Sequence, residues 1–129
     1  MEKEIIIGCS RTFSNGVTVV NTTPHPINFL DGEEVVTVNS SKDLLINAKT
    51  EETPVGEHLV RATFSGSEEG QSIINQIKEV LPDAFIIGSI LAANSYKEVV
   101  GMCPAPGFER VPPAEKRMSI DKFNVGECY

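Results

Sequence analysis

The sequence predicts an α+β domain of mostly antiparallel β-sheet with one main amphipathic helix. Three observations carry that expectation. Short β-branched and apolar runs recur along the chain with Gly, Pro and Asn-Gly or Asp-Gly punctuation between them. One segment alone has a clean helical period: Ile73, Ile74, Ile77, Val80 and Leu81 share a face. The 129 residues suffice for one domain with its own core.

In order, Ile5–Ile7 reads as a short strand, Ser10–Gly16 as a turn and Val17–Val20 as a strand. Thr22–Pro26 (TTPHP) is punctuation. Ile27–Leu30 and Glu34–Val38 flank Asp31-Gly32 as a hairpin. Leu44–Ile46 reads as a short strand, Thr53-Pro54-Val55-Gly56 as a turn and Glu57–Phe64 as a strand. The helix follows, capped by Ser65 or Ser67, with Glu68 and Glu69 at its positive end and Pro82-Asp83 closing it. Phe85–Ala92 is apolar enough for a buried strand. Val99–Met102 is a strand, Pro104–Pro113 a rigid loop, Ala114–Met118 a helical turn and Ser119–Val125 a last strand. The domain is expected to be single over 1–129, with 1–18 an N-terminal extension on a core at 19–125.

Composition narrows the function classes. Hydrophobic content is 40% and charged content 22%, as in ordinary globular domains. No apolar run approaches the ~20 residues a membrane span needs. The start, MEKEIIIG, lacks the pattern of a secretory signal, and three scattered cysteines (Cys9, Cys103, Cys128) read as free thiols, so a cytoplasmic protein is expected. Net charge is -7, which argues against a DNA-backbone binder. The charge is uneven: residues 31–57 carry seven acids against two lysines, and residues 97–122 five bases against four acids. Local arginines can therefore still hold a small anion.

No catalytic set emerges. His25 with His58 is too thin a basis for a metal site, and no metal or cofactor is expected. Cys103 with His25 is a conceivable nucleophilic pair, but nothing local activates the thiol. Ser65–Gly70 lacks the endings of phosphate-binding loops. What remains are binding candidates. His25 is either a ligand-facing ring held by two prolines or part of a stiff turn whose threonines bond the backbone. Arg61 either points to solvent or anchors a phosphate. Asn94 either reads a base or ribose edge or is a turn residue. Phe108, Arg110, Arg117 and Met118 around Pro112-Pro113 either sandwich a flat heterocycle or form a surface ion-pair loop. A binding module, not an enzyme, is the reading.

Two blocks carry a family resemblance. Val20–Ile27 (VNTTPHPI) resembles the NLTPH opening of small phage and prophage proteins. Ile86–Val100 (IIGSILAANSYKEVV), with the loop Ala105–Met118 (APGFERVPPAEKRM), resembles their second shared stretch. The chain thus resembles the first Thoeris anti-defence family over roughly residues 19–125. The resemblance implies a sponge in the host bacterium's cytoplasm. Such a protein sequesters, uncleaved, the cyclic ADP-ribose isomers made by TIR-domain enzymes. It also implies a homo-oligomer, a dimer-based hexamer, with cyclic di- or trinucleotides of CBASS immunity at a separate site. By the same resemblance Phe85 or Phe108 supplies a ring against adenine, with Arg117 and Met118 opposite. Asn94 reads ribose or base, and Arg61 and Arg110 take the pyrophosphate. A phage structural or assembly protein without ligand and a cyclic-nucleotide-cleaving enzyme are the alternatives.

Overall fold

The computed structural model describes residues 3–127 and 129, so Cys128 lies outside the described residues. Three helices and nine strands follow in the order α1 (Lys3–Gly8), β1 (Ser10–Thr12), β2 (Thr18–Asn21), β3 (Ile27–Asp31), β4 (Glu34–Val38), β5 (Lys49–Gly56), β6 (Leu59–Ser65), α2 (Glu68–Val80), β7 (Phe85–Ile87), α3 (Ile90–Ser95), β8 (Val99–Pro104) and β9 (Met118–Val125). The α+β class expected from the sequence is the one observed. Four of the seven strand pairings, β1/β2, β3/β4, β5/β6 and β8/β9, are antiparallel.

Seven strands form one sheet in the order β1-β2-β7-β8-β9-β3-β4. Parallel pairs join β2 to β7, β7 to β8 and β3 to β9. The sheet curls into a barrel-like shape, and alternation along each strand sends neighbours to opposite faces. Outside the curl, Val20, Ile86 and Val99 pack under the helices with Ile74 and Ile77 of α2. Inside it, Val19, Ile87 and Val100 pack with Phe13, Phe29, Val36 and Val38. Contacts between distant strands hold the curl. Ser14, after β1, donates its N–H and its hydroxyl to the Asp31 carboxylate at the end of β3. Asn15 Nδ2 donates to the Ile120 carbonyl at 2.9 Å.

The helix forms where its period predicted. Ser67 Oγ caps it by accepting from the Gly70 N–H at 3.1 Å. Tyr96 seals the joint beside it. Its buried hydroxyl accepts from the Ser67 N–H at 2.7 Å and donates to the Asn47 carbonyl at 3.0 Å. Gly70 has no room for a side chain, since a Cβ there would stand 2.1 Å from that hydroxyl.

Several elements differ from expectation. Ile5–Ile7 is part of α1, not a strand: Ile5, Ile6 and Cys9 recur at i, i+1 and i+4 and all face the outer core. Leu44 and Ile46 are buried there too, but Leu44 ends a 3-10 turn, Lys42–Leu44, capped by Ser41. The expected single strand Phe85–Ala92 is two elements, because Gly88 ends β7 and Ser89 caps α3 by accepting from the Ala92 N–H at 3.1 Å. Thr53–Gly56 lies within β5 instead of turning. The chain reverses one step later at Glu57-His58, where His58 takes φ +64°. Residues 3–18 are built into the body: β1 pairs with β2, and Ile6, Cys9 and Phe13 are buried.

The β5–β6 hairpin is a separate two-stranded sheet, with β6 beside α3. Every residue from Lys49 to Ser65 is exposed.

Candidate functional site

The TTPHP turn is shaped by a residue the sequence reading passed over. Asn21 is the last residue of β2 and is 1% exposed. Its Oδ1 accepts from the Thr23 N–H at 2.9 Å and from the Thr23 hydroxyl at 2.6 Å. Its Nδ2 donates to the His25 carbonyl at 2.9 Å and to the Val38 and Asn39 carbonyls at 3.3 and 3.2 Å. Thr22 adds a hydroxyl bond to the Ile87 carbonyl at 2.7 Å. One buried amide thus ties the turn to β4 while Thr22 ties it to β7. The signal in the sequence was an Asn directly before a Thr-Thr-Pro turn, the pattern of an Asx turn.

That turn forms one wall of a cavity of about 380 Å³, within the ~300–1,000 Å³ of small-molecule sites. Thr23, His25, Pro26, Ile27 and Asn28 come from the turn and the start of β3. Ser89 and Met102 supply the floor from the end of β7 and from β8, and Pro113, Lys116 and Met118 supply the opposite wall. The mouth is fixed as well as its wall. Pro112 leads into a 3-10 turn, Pro113–Glu115, and Lys116 Nζ reaches back to the Glu109 carbonyl at 3.4 Å. Met118 begins β9 beside Phe29 of β3.

Two of the expected site residues, His25 and Met118, line this cavity. Arg117 is next to it in sequence, half-buried, with Nη1 donating to the Lys116 carbonyl at 2.8 Å. Phe108 and Arg110 sit further along the same loop, one half-buried and one exposed. That loop turns at Gly107, φ +91°, whose N–H donates to the Glu109 carboxylate at 2.6 Å. The other candidates lie elsewhere. Phe85 starts β7, about 13 Å of extended chain from Ser89, and its ring stacks on Phe123 at 5.1 Å. Asn94 is in α3, at a different cavity, where its Oδ1 accepts from the Glu127 N–H at 3.0 Å. Arg61 is exposed on the hairpin ribbon. His58 is at that ribbon's tip, its ring 3.6 Å from the Glu57 carboxylate.

The chemistry the cavity offers is recognition. Met118, Met102, Pro26 and Pro113 give polarisable and apolar faces for a flat ring. Lys116 gives a fixed positive charge for phosphate. Thr23, Ser89 and Asn28 offer donors and acceptors of the kind that hold sugar hydroxyls. Sequence reading missed Lys116, Asn28 and Ser89, because nothing local distinguishes them from surface residues. Cys103 is buried and lines a separate cavity with Ser119 and Asp121. Burial raises the pKa of the other described thiol, Cys9, and so keeps it protonated. Among the described residues no group of three or more His, Cys, Asp or Glu side chains is arranged to hold a metal ion. No helix among them is long and apolar enough to cross a membrane.

Fold and site together define a small curled-sheet α+β domain with a preformed cleft at one end of its sheet. Compared with protein-family models, curated proteins and solved structures, the chain matches none.

Proposed function

We propose that this chain is a sponge for cyclic nucleotide signals. It binds cyclic ADP-ribose isomers in the His25–Met118 cleft and withholds them, uncleaved, in the cytoplasm of an infected bacterium. One observation carries the reading: the two blocks that resemble the first Thoeris anti-defence family meet at a single cleft. Thr23, His25, Pro26 and Ile27 of the first block face Ser89, Pro113, Lys116 and Met118 of the second, some 60 to 90 residues later in the chain. This cavity has the size and chemistry of a nucleotide site.

In this reading the adenine lies against Met118 and Pro113, and Lys116 balances pyrophosphate charge. The ribose hydroxyls meet Thr23, Asn28 and Ser89. Of the two rings expected against adenine, Phe85 stacks on Phe123 and Phe108 sits on the loop that carries Arg110, and the cleft itself is lined by thioether and proline faces. Sequestration needs a site shaped before the ligand arrives. Asn21 and the proline-flanked turns provide that preorganisation. Cyclic di- and trinucleotides at a separate site, and assembly into a dimer-based hexamer, belong to the same proposal.

The test mixes purified protein with a panel of cyclic ADP-ribose isomers and cyclic oligonucleotides. Unbound ligand is filtered away, the protein is heat-denatured, and the released material is identified by mass spectrometry. Intact ligand returned only after denaturation is the expected result. Altered ligand would make the protein an enzyme, and an empty filtrate across the panel would leave a structural phage protein.

A further inference from the structure

The spare hydrogen-bonding capacity of the His25–Met118 cleft is one-sided. Thr37 of β4 stands opposite Asn28 of β3, and its hydroxyl donates to Asn28 Oδ1 at 2.7 Å. The amide oxygen is thereby engaged, and Asn28 Nδ2 has no acceptor among the described residues. Ser89 Oγ accepts from the Ala92 N–H at 3.1 Å, which leaves the hydroxyl proton to give. The Lys116 ammonium meets the Glu109 carbonyl at 3.4 Å and forms no ion pair among the described residues. Thr23 alone keeps an acceptor oxygen, since its proton is spent on Asn21 Oδ1 at 2.6 Å. The His25 ring can supply either role. Three donors thus stand against one acceptor.

Charge points the same way. The chain holds 18 acidic residues and a net charge of -7, yet none of the described acidic residues lines this cleft. Glu109, whose carbonyl meets Lys116, has its carboxylate on the Gly107 N–H at 2.6 Å. The cavity beside Cys103, by contrast, is lined by Glu109 and Asp121.

We infer that Asn28 is the specificity-determining donor of the cleft, with Thr37 as its positioning residue, and that Asn28, Ser89 and Lys116 together select ligands bringing acceptor oxygens, the sugar phosphates, over ligands bringing amines. An Asn side chain carries an acceptor end and a donor end of nearly the same shape, so its orientation decides what it reads. The cross-strand bond from Thr37 sets that orientation before any ligand arrives, and a preset donor costs little ordering on binding. A ligand amine placed there would leave donors facing donors, and an unpaired polar group out of water is costly. This selectivity rests on the reading of the cleft as a nucleotide site, and it names the group that chooses the ligand.

The test is an NMR titration of the isotope-labelled full chain with pyrophosphate, adenosine, cyclic ADP-ribose and putrescine. The Asn28 side-chain amide signal is identified by its loss in Asn28→Leu. It is expected to move with pyrophosphate where a phosphate oxygen is the acceptor, or with adenosine where the nucleoside supplies it, and to stay in place with putrescine. Asn28→Asp is expected to weaken the binding of pyrophosphate by about tenfold or more, the usual worth of a hydrogen bond to a charged group. Thr37→Val, outside the cleft, should give a smaller loss, and Thr37→Ser, which keeps the hydroxyl, should bind as the native chain does. Circular dichroism verifies that each variant is folded. An Asn28→Asp variant that binds pyrophosphate as well as the native chain overturns the inference, and so does an Asn28 signal that moves with putrescine. Cyclic ADP-ribose bound with the Asn28 signal unmoved overturns it while leaving the sponge reading intact. Pyrophosphate moving that signal in a chain that holds no cyclic nucleotide supports it and overturns the sponge reading. Binding of none of the four probes overturns both.

Discussion

The curled body and the β5–β6 ribbon follow the same strand rules and reach opposite outcomes. In the body each apolar face has a cover: Val20 and Ile86 lie under α2, and Phe29 lies inside the curl at 0% exposure. In the ribbon the register shifts between Pro54 and Gly56, and Val55, Leu59, Val60 and Phe64 are 42–61% exposed. Pattern alone makes a strand, and only a partner surface makes it stable. The body finds its partners within the chain, and the ribbon keeps Val55, Leu59, Val60 and Phe64 exposed.

Substitutions can break that contrast. The largest effect is expected at Phe29, which touches Phe13 at 4.9 Å between centroids in the inner core. Phe29→Ala should cost about 3–5 kcal/mol in urea unfolding, the usual range for a buried aromatic. At Asn21, alanine strands the carbonyls and N–H that the amide now satisfies. We expect Asn21→Ala to lower stability by about 1–3 kcal/mol and to weaken ligand retention more than its stability loss explains. Tyr96→Phe removes a buried hydroxyl that bonds Ser67 and the Asn47 carbonyl, and a loss of about 1–3 kcal/mol in a thermal melt is expected. Against these, Phe64→Ser on the exposed ribbon should shift unfolding by no more than about 0.5 kcal/mol.

The smallest expected effect depends on pH. Ser14 donates twice to Asp31, which holds that carboxylate below its ordinary pKa of 3.8. The contribution is therefore full above the ordinary carboxylate range and is lost as pH falls through the lower native value. Stability measured from pH 6 down to pH 2 should fall less steeply for Asp31→Asn than for the native chain.

The fold was legible wherever one period dominated. The α2 face, the Asp31-Gly32 hairpin and the strands expected at 17–20 and 119–125 are local patterns, and they formed, the strands at 18–21 and 118–125. Short apolar runs were ambiguous. Ile5–Ile7 suits a strand or a helix, and only Cys9 one turn on decides for α1. Ser89 was legible as a helix cap but hidden by the apolar residues around it. Of the site, the motif-bearing His25 and Met118 could be named in advance. Lys116, Asn28 and Ser89 could not, because what makes them site residues is a fold that brings positions 23–28 against 113–118. Phe85 starts β7 away from that cleft, with its ring stacked on Phe123.

Hydrogen–deuterium exchange with and without the retained ligand tests the central claim most directly. The account predicts slowed exchange at residues 22–28 and 112–118, with little change around Phe85. Protection centred on Phe85 and Phe123, with none at the His25 turn, would contradict it.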